Sequence, residues 1–260
     1  MNIDKDLLSE MGACNSGMRW FLKNFEGDAQ LKDVITLLLR EGRDGDSAWL
    51  NSHLLMRADM NVKAFTETNV ETLIEYTGAD LSDDRAQIGS SHNCAKIGSS
   101  DNLAQIATTG YNAKIGSSGN YTQIASSGNC AQIAGSGNYT QIASSGDSTQ
   151  IASSGFSAKT VSSGAFAKIA SSGDSAKIAT TGYNAKIQAR GENAVITITG
   201  DGMAKAGVGG VIAIRWFDEQ NNRSRIAVGY VGEDLKADTW YEVNNKGSFV
   251  EVTRARDAGV

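Results

Sequence analysis

The stretch that decides the fold begins at residue 86. Residues 86–112 read AQIGSSHNC, AKIGSSDNL and AQIATTGYN, three consecutive units of nine residues with one pattern. The pattern continues to Gly202 and gives thirteen units in succession. A fixed period of this kind indicates supersecondary units that stack on one another. We number the positions of each unit one to nine, so that Ala86 is column one of the first unit.

Alternation within each unit predicts a short β-strand. Column one is Ala or Thr, column three is Ile in every unit but one, and column two is Gln or Lys until Val195. Columns one and three are therefore predicted to face a core while column two faces water. Columns four to seven are predicted to form a turn. Gly fills column seven except at His92 and Asp101, and we expect a left-handed backbone there, which Gly adopts freely and Asp or His tolerates.

The size of the unit predicts how the strands close on themselves. Nine residues make too small a perimeter for two strands, two turns and two layers about 10 Å apart, so that two units should form one coil. The sequence thus predicts a mainly β fold, a parallel two-sheet β-solenoid with 18 residues per coil. Thirteen units give about six and a half coils and a length of about 31 Å at ~4.8 Å per coil.

Two ladders of outward side chains follow from this register. One contains Gln87, Gln105, Gln123, Gln141, Lys159 and Lys177, and the other contains Lys96, Lys114, Gln132, Gln150, Lys168 and Lys186. Such ladders keep a flat sheet soluble and discourage stacking. The alternative is that the lysines Lys96, Lys114, Lys168 and Lys186 form a stripe that binds a partner.

Columns eight and nine vary most and carry the aromatic residues of the repeat. These are Tyr111, Tyr121, Tyr139, Phe156, Phe166 and Tyr183. Aromatic side chains at turn corners form adhesive patches if they cluster, and pack against the sheet edge if they do not. The sequence leaves both alternatives open.

The regions on either side of the repeat differ from it and divide the chain into four segments. Residues 1–80 are predicted to form a helical module, 81–85 an acidic linker, 86–202 the solenoid and 203–260 a C-terminal β cap. The clearest helical spacing is that of Leu31, Val34, Ile35, Leu38 and Leu39. The first helices are expected near residues 7–11 and 20–25, the second capped by Asn15 or Ser16, and further ones at 48–56 and 70–76.

The helical module has three conceivable roles. It can seal the first coil, which is the expectation we favour because the end of a solenoid exposes strand edges and apolar core. It can also pair with another copy of itself, which would make a homodimer, or bind a target. At the other end, the alternation in 211–216, 224–230, 240–243 and 248–252, with turn signals at 221–222 and 244–247, predicts an antiparallel β cap.

Charge is distributed unevenly along the chain. Residues 1–85 carry 9 basic and 16 acidic side chains, 86–202 carry 7 and 5, and 203–260 carry 8 and 8, within a net charge of −5. The absence of a basic stripe argues against direct nucleic-acid binding, and the acidic N-terminal segment is compatible with a basic partner surface. With no long apolar run, we expect no membrane association and a cytoplasmic location.

Catalytic and metal-binding motifs are scarce. The two histidines, His53 and His92, have no recognisable triad partners, and His92 with Cys94 and Asp101 would be a poor zinc set. The three cysteines include no Cys-x-x-Cys pair, and the turn aspartates are too few for a calcium roll. We therefore expect no enzymatic activity, no cofactor and no metal.

Several motifs carry a resemblance to known proteins. They are the nonapeptide array itself, AKAGVGG at 204–210, ADTWY at 237–241, FVEV at 249–252, and Gly12-Ala13-Cys14 with Gly17, Trp20 and Phe21 near the start. Together these resemble a phage and prophage family of nonapeptide-repeat β-solenoid proteins of unknown function. The resemblance implies a phage context and supplies no catalytic residues.

These observations favour a non-enzymatic binding protein that inhibits a host protein or complex. The resemblance suggests a nucleic-acid-directed anti-phage defence complex as the target, in the manner of an anti-CRISPR protein. Acidic side chains before the repeat would imitate nucleic acid towards a basic groove, with candidates Glu67, Glu71, Glu75, Asp80, Asp83 and Asp84. The alternatives are a phage structural, assembly or self-associating scaffold protein and, last, an ice- or surface-binding protein.

Overall fold

The fold is dominated by two nine-stranded sheets that stack face to face. The computed structural model describes residues 1–55, 57, 65, 68, 72 and 86–252. The predicted helix at 70–76, apart from Thr72, and the predicted linker at 81–85 lie outside the described residues. No helix among the residues described is long and apolar enough to cross a membrane.

The strands of the repeat alternate between the two sheets. One, the open sheet, contains β3 (Gln87–Ser90), β5 (Gln105–Thr108), β7 (Gln123–Ser126), β9 (Gln141–Ser144), β11 (Lys159–Ser162), β13 (Lys177–Thr180), β15 (Val195–Ile198), β17 (Val211–Asp218) and β18 (Arg223–Tyr230). The other, the covered sheet, contains β4 (Lys96–Ser99), β6 (Lys114–Ser117), β8 (Gln132–Gly135), β10 (Gln150–Ser153), β12 (Lys168–Ser171), β14 (Ala185–Ala189), β16 (Gly202–Ala206), β19 (Tyr241–Val243) and β20 (Phe249–Glu251).

Neighbouring strands within the repeat are parallel and in register at 18 residues. Ile151 lies beside Ile133 on one side and Ile169 on the other, and the open sheet repeats this at Ile124 and Ile142. The isoleucines of both sheets form one buried core. The predicted parallel β-solenoid with two units per coil is therefore confirmed, and it extends over about seven turns.

The strands occupy columns two to five, so the prediction that columns four and five belong to the turn is wrong. Column four points outward, as Ala107 does, and column five points into the core, where Ser117 and Ser162 are fully buried. A strand of four residues places two side chains inside and two outside. Small hydroxyl residues fit column five because two layers of isoleucine already fill the interior.

The glycines of column seven have a different role from the one predicted. The left-handed backbone lies at column nine, for example at Asn112 (φ 55°) and Asn193 (φ 55°). Column seven is crowded instead: a Cβ on Gly155 would lie 1.9 Å from the carbonyl oxygen of Gly137, one coil earlier. His92 and Asp101 stand in the first coil, and their carbonyl groups are the ones on which Gly110 and Gly119 pack. Among the described residues no coil precedes them, which is why larger side chains fit there.

A ladder of Asn and Asp side chains runs along column eight. The Oδ1 atom of Asn138 accepts a hydrogen bond from the backbone N–H of Phe156 at 2.8 Å, and Asn120 does the same for Asn138 at 2.8 Å. In the same way, Asp147 accepts a hydrogen bond from the backbone N–H of Ala165, and Asp174 accepts one from that of Glu192. These turn aspartates therefore hold neighbouring coils together.

Removing one rung of this ladder should have a measurable cost. We expect Asn138→Ala to lower the stability by about 1 kcal/mol, and the thermal midpoint by roughly 2–4 °C, because the N–H of Phe156 loses its acceptor. Glu192→Ala is the matched control, since Glu192 occupies the same column without a ladder hydrogen bond from its side chain among the described residues. The thermal midpoints of both variants can be measured by circular dichroism. Equal midpoints would contradict a stabilising role of the ladder.

Parallel stacking continues past the last nonapeptide, and antiparallel strands then end both sheets. β16 pairs in parallel with β14, and β17 pairs in parallel with β15. β18 then turns back on β17, and β19 and β20 form a hairpin that joins β16. The predicted antiparallel strands at the C-terminus are confirmed, and Val231, Leu235 and Tyr241 from this region complete the solenoid core.

Within residues 1–55, the N-terminal module contains four helices and a two-stranded ribbon. The helices are α1 (Lys5–Glu10), α2 (Asn15–Asn24), α3 (Leu31–Arg40) and α4 (Asp44–Leu55), and the ribbon pairs β1 (Asn2–Ile3) with β2 (Ala29–Gln30). The N-cap of α2 is Cys14, one residue before the predicted Asn15. The apolar spacing of α3 gives five buried residues, as predicted: Leu31, Val34, Ile35, Leu38 and Leu39.

The helical module packs on the side of the solenoid. Its core includes Ala152 and Ala170, which are outward residues of the covered sheet. The expectation that it seals the first coil is therefore wrong for the described helices. Column four of the covered sheet is Gly or Ala in its middle coils, so that helices can approach closely and bury the apolar side of α3 and α4.

Candidate binding surfaces

Three of the four lysines proposed as a partner stripe, Lys96, Lys114 and Lys168, lie under the chain's own helices. The ammonium of Lys168 donates to the hydroxyl of Ser52, and that of Lys96 donates to the carbonyl oxygen of Leu39 at 3.3 Å. Lys114 is only 3% exposed, and Lys186 is half-buried. The structure brings these four lysines together on one face, but that face already has an intramolecular partner.

The contact between the module and the sheet is partly polar. The amide of Asn51 donates to Oε1 of Gln132 at 3.1 Å, and that of Gln150 donates to the carbonyl oxygen of Ala48 at 3.5 Å. A cavity of about 30 Å³ lies between these groups. Four buried polar atoms around it have no hydrogen-bond partner among the described residues, namely Ser47 Oγ, Asn51 Oδ1, Gln132 Nε2 and Gln150 Oε1. A cavity of this size suits one or two water molecules.

The six acidic candidates of the N-terminal segment lie outside the described residues: Glu67, Glu71, Glu75, Asp80, Asp83 and Asp84. The outward face of the open sheet, in contrast, is solvent-exposed from Gln87 to Lys177. Its column-two ladder of Gln and Lys faces water, as predicted.

One corner of the solenoid carries a continuous row of exposed apolar side chains, which we call the aromatic ridge: Leu103, Tyr121, Tyr139 and Phe156. They come from four successive coils, where the covered sheet turns into the open sheet. The rings of Tyr121 and Tyr139 stack with centroids 5.0 Å apart, and Phe156 meets Tyr139 edge-on at 5.7 Å. All four side chains are between 41% and 52% exposed.

Three ridge residues occupy a strained backbone conformation. Leu103, Tyr121 and Tyr139 have φ values of 61°, 57° and 56°. For bulky residues this left-handed region costs on the order of 1 kcal/mol each, whereas Asn adopts it more easily. Ring stacking of about 0.5–1.5 kcal/mol offsets the cost at the tyrosines. It does not help Leu103. Phe166 on the opposite corner has the same left-handed backbone (φ 58°) and no ring pair among the described residues, so what distinguishes the ridge is that its four exposed side chains come from successive coils of one corner.

The ridge continues into acidic residues. Asp174 and Glu192 occupy column eight in the next two coils of the same corner, and both are exposed. The opposite corner carries Tyr111, Phe166 and Tyr183, with no ring pair recorded among these described residues. There the side chain of Cys130 hydrogen-bonds Tyr111 and raises the pKa of its phenol. The six aromatic side chains of the repeat are thus divided equally between the two corners, and among the described residues only the three on the ridge form ring pairs.

A cleft of about 190 Å³ opens within the helical module between α2, α3 and α4. Trp20, Phe21 and Trp49 supply much of its apolar lining, with Cys14 at its edge. A hydrogen bond from Ser16, with a second from the backbone N–H of Gly17, lowers the pKa of the exposed Cys14 thiol. The thiol caps α2, which accounts for its position.

The remaining candidates for chemistry lie apart from one another. His53 stacks on Trp49 at 4.5 Å, and its Nδ1 atom contacts the carbonyl oxygen of Trp49 at 2.9 Å. His92 is exposed in the first turn, where its backbone N–H donates to Ser90 Oγ at 3.3 Å. Within 1–55 and 86–252, together with the few other residues described, no three His, Cys, Asp or Glu side chains gather as metal ligands would.

Sequence reasoning missed a buried cation near the C-terminal end of the covered sheet. Lys205 is 2% exposed and lies beside Gln188 in register, and its ammonium sits 5.2 Å from the centre of the Trp240 ring. Burial, followed by the nearby guanidinium of Arg190, lowers the pKa of Lys205 to about 8, against the opposing effect of Asp238. A lysine in a glycine-rich segment gives no sequence signal for this environment.

Residues 1–58 match the family model described as the YdhT N-terminal domain. The four helices described for residues 1–55 lie within the matched range. No curated protein and no solved structure gives a match to the chain. The helical module is therefore the part of the chain that is similar to a known domain.

Proposed function

We propose that the protein is a non-enzymatic binding protein whose solenoid presents the aromatic ridge to a protein partner. The observation that carries this proposal is the exposure of four adjacent apolar side chains, three of them on left-handed backbone that suits Asn better than Tyr or Leu. Parallel strands paired in register on both sides hold the ridge rigidly, which lowers the entropy lost on binding.

The chemistry of the ridge indicates the kind of partner segment it fits. Its apolar half spans four coils, or about 15 Å at ~4.8 Å per coil, and Asp174 and Glu192 follow at one end. An extended segment with apolar side chains followed by basic ones would complement it. Aromatic residues in a packed cluster are also the side chains most often found to dominate binding energy.

We further propose that the partner is a host protein that belongs to a nucleic-acid-directed defence complex, and that binding inhibits it. Basic surfaces are common on proteins that act on nucleic acids, and the N-terminal segment and the end of the ridge are both acidic. The phage context implied by the sequence resemblance supports this class of target by association.

A pull-down with matched variants tests the proposal. The ridge variant replaces Leu103, Tyr121, Tyr139 and Phe156 with Asn, the residue that other units carry in these columns. The control replaces Phe166 and Tyr183 on the opposite corner with Asn. We expect the wild type and the control to capture a host nucleic-acid enzyme in stoichiometric amount from bacterial lysate and to inhibit it. In the ridge variant, the amount of captured enzyme and the inhibition should each be at least tenfold lower.

Two results would contradict the proposal. Equal capture by the ridge variant would show that the ridge is not the binding surface. Recovery of the protein itself or of phage structural proteins alone would favour the alternative, a structural or self-associating scaffold. Unfolding curves of all variants check that folding is retained. We expect the Asn substitutions to be tolerated because Asn suits the left-handed backbone of column nine and is already present in column eight of other units.

A further inference from the structure

Among the described residues, no strand pairs with the outer edge of β18, the last strand of the open sheet. Gly229 lies opposite Ile212, and the N–H of Val231 donates to the carbonyl oxygen of Gly210. Because the direction of the backbone groups alternates along a strand, every second residue counted back from Val231 points its N–H and C=O towards β17. The intervening residues Ser224, Ile226 and Val228 point their backbone groups away from the sheet. No backbone hydrogen bond of these three on the outer side is recorded in the part of the chain described. Tyr230 is satisfied by the turn that follows it, through Asp234.

This edge lacks the usual protection against pairing. β18 has eight residues, whereas the strands at the other end of the solenoid, β3 and β4, have four. Its outward side chains include Ile226 and Val228, which are 57% and 46% exposed. A long, apolar and unpaired edge is a template for another strand.

The charges around β18 select the strand that would pair with it. Arg223 stands at its start, and Glu233 and Asp234 follow shortly after its end, all exposed. Arg225 is already engaged by Asp218 at 2.5 Å. Antiparallel pairing of two identical strands brings Arg223 of each copy to the acidic turn of the other. Parallel pairing would put the two arginines side by side.

We propose that two copies of this chain associate through β18, paired antiparallel about a two-fold axis near Ile226. Ser224 would pair with Val228 of the other copy. The residues whose backbone groups point away from the sheet, Ser224, Ile226 and Val228, would form up to about six backbone hydrogen bonds with the other strand. The open sheets of the two solenoids would join into one continuous sheet, with self-complementary charges as a two-fold interface requires. This surface is separate from the aromatic ridge, and the proposal does not depend on the function of the ridge.

The mass of the full-length protein in solution tests the proposal. At about 50 μM we expect twice the chain mass of 27.4 kDa by light scattering. We expect Ile226→Lys to shift the protein to the monomer mass, because a charge on the edge blocks pairing. The control is Val161→Lys, the same change on the outward face of the same sheet, at 52% exposure but away from the edge. It should leave the dimer intact.

The charged pairs provide a second and independent readout. We expect Arg223→Glu to raise the dimer dissociation constant at least tenfold, and Glu233→Arg in the same chain to restore it. A wild-type monomer would overturn the proposal. So would a dimer that survives Ile226→Lys, or one that Val161→Lys disrupts, since the latter would indicate sheets stacked face to face. If Arg223→Glu weakens the dimer and the added Glu233→Arg does not restore it, the antiparallel arrangement is refuted.

Discussion

Replacing Gly155 with alanine is expected to lower the thermal midpoint by roughly 10 °C or more, although the change adds a single methyl group. The new Cβ would lie 1.9 Å from the carbonyl oxygen of Gly137 and 2.5 Å from its carbonyl carbon. Both contacts are with backbone, so no side chain can move aside. The two coils would have to separate at this corner and weaken the hydrogen bonds between them, at a cost above about 4 kcal/mol.

The control for this prediction is Gly89→Ala. Gly89 occupies column four of the open sheet, where nothing lies within 4 Å of an added Cβ, and other units carry Ala there. We expect the control to keep or slightly raise the midpoint, because Gly in a strand is the less favourable residue. Similar thermal midpoints for the two variants would show that the close approach of neighbouring coils does not require glycine at column seven.

The position of the substitution within the solenoid offers a further check. A Cβ on Gly110 meets the carbonyl oxygen of His92 at 1.8 Å, but His92 belongs to the first coil described. Because a terminal coil has fewer neighbours to disturb, Gly110→Ala should cost less than Gly155→Ala. Chemical denaturation of the full-length variants would measure the difference, and the opposite order would argue against this explanation.

The solenoid could be predicted from the sequence because its period is explicit. The 18-residue coil followed from the nonapeptide and from the spacing between sheets, and the pairing of Ile151 with Ile169 confirms it. The role of column seven could not be inferred in the same way. A glycine required for left-handed backbone and a glycine required for close approach look identical in one sequence, and His92 and Asp101 suited the first explanation equally well.

The surfaces were less accessible to sequence reasoning than the core. The two outward ladders have similar compositions, so nothing in the repeat shows which one the helical module covers. The module docks through contacts such as Asn51 with Gln132, 81 residues apart in the chain. The aromatic columns were visible in the sequence, but the ring pairs at the ridge form only because three of the aromatic units belong to successive coils of the covered sheet. The free edge of β18 depends on where strand pairing stops.

Lys205 is the residue whose replacement should stabilise the protein most clearly. Its side chain is buried against Trp240, and neither a hydrogen bond nor an ion pair within hydrogen-bonding distance of its ammonium is recorded among the described residues. Burial and the neighbouring Arg190 lower its pKa to about 8, from 10.5 for a free lysine. A difference of this size corresponds to a penalty on the order of 3 kcal/mol for the charged form at pH 7.

The penalty also predicts how stability changes with pH. Between pH 8 and 10.5 the unfolded chain holds the proton of this lysine more tightly than the folded chain does, so that stability rises as the pH increases through this window. At pH 7 both states are protonated, and the full cost of the buried charge is present. Deprotonation of the folded state near pH 8 begins to remove that cost.

We therefore expect Lys205→Met to raise the free energy of unfolding at pH 7 by up to about 3 kcal/mol, because methionine fills a similar volume without a charge. The variant should also lose most of the increase in stability that the wild type shows from pH 7 to 9.5. Lys177→Met, at an exposed position of the open sheet, should change neither quantity by more than about 0.5 kcal/mol. Denaturant titrations at both pH values measure both effects. An unchanged pH dependence in Lys205→Met would mean that this ammonium is solvated or paired in solution, and that the covered sheet is more open at its C-terminal end than its packing against Trp240 indicates.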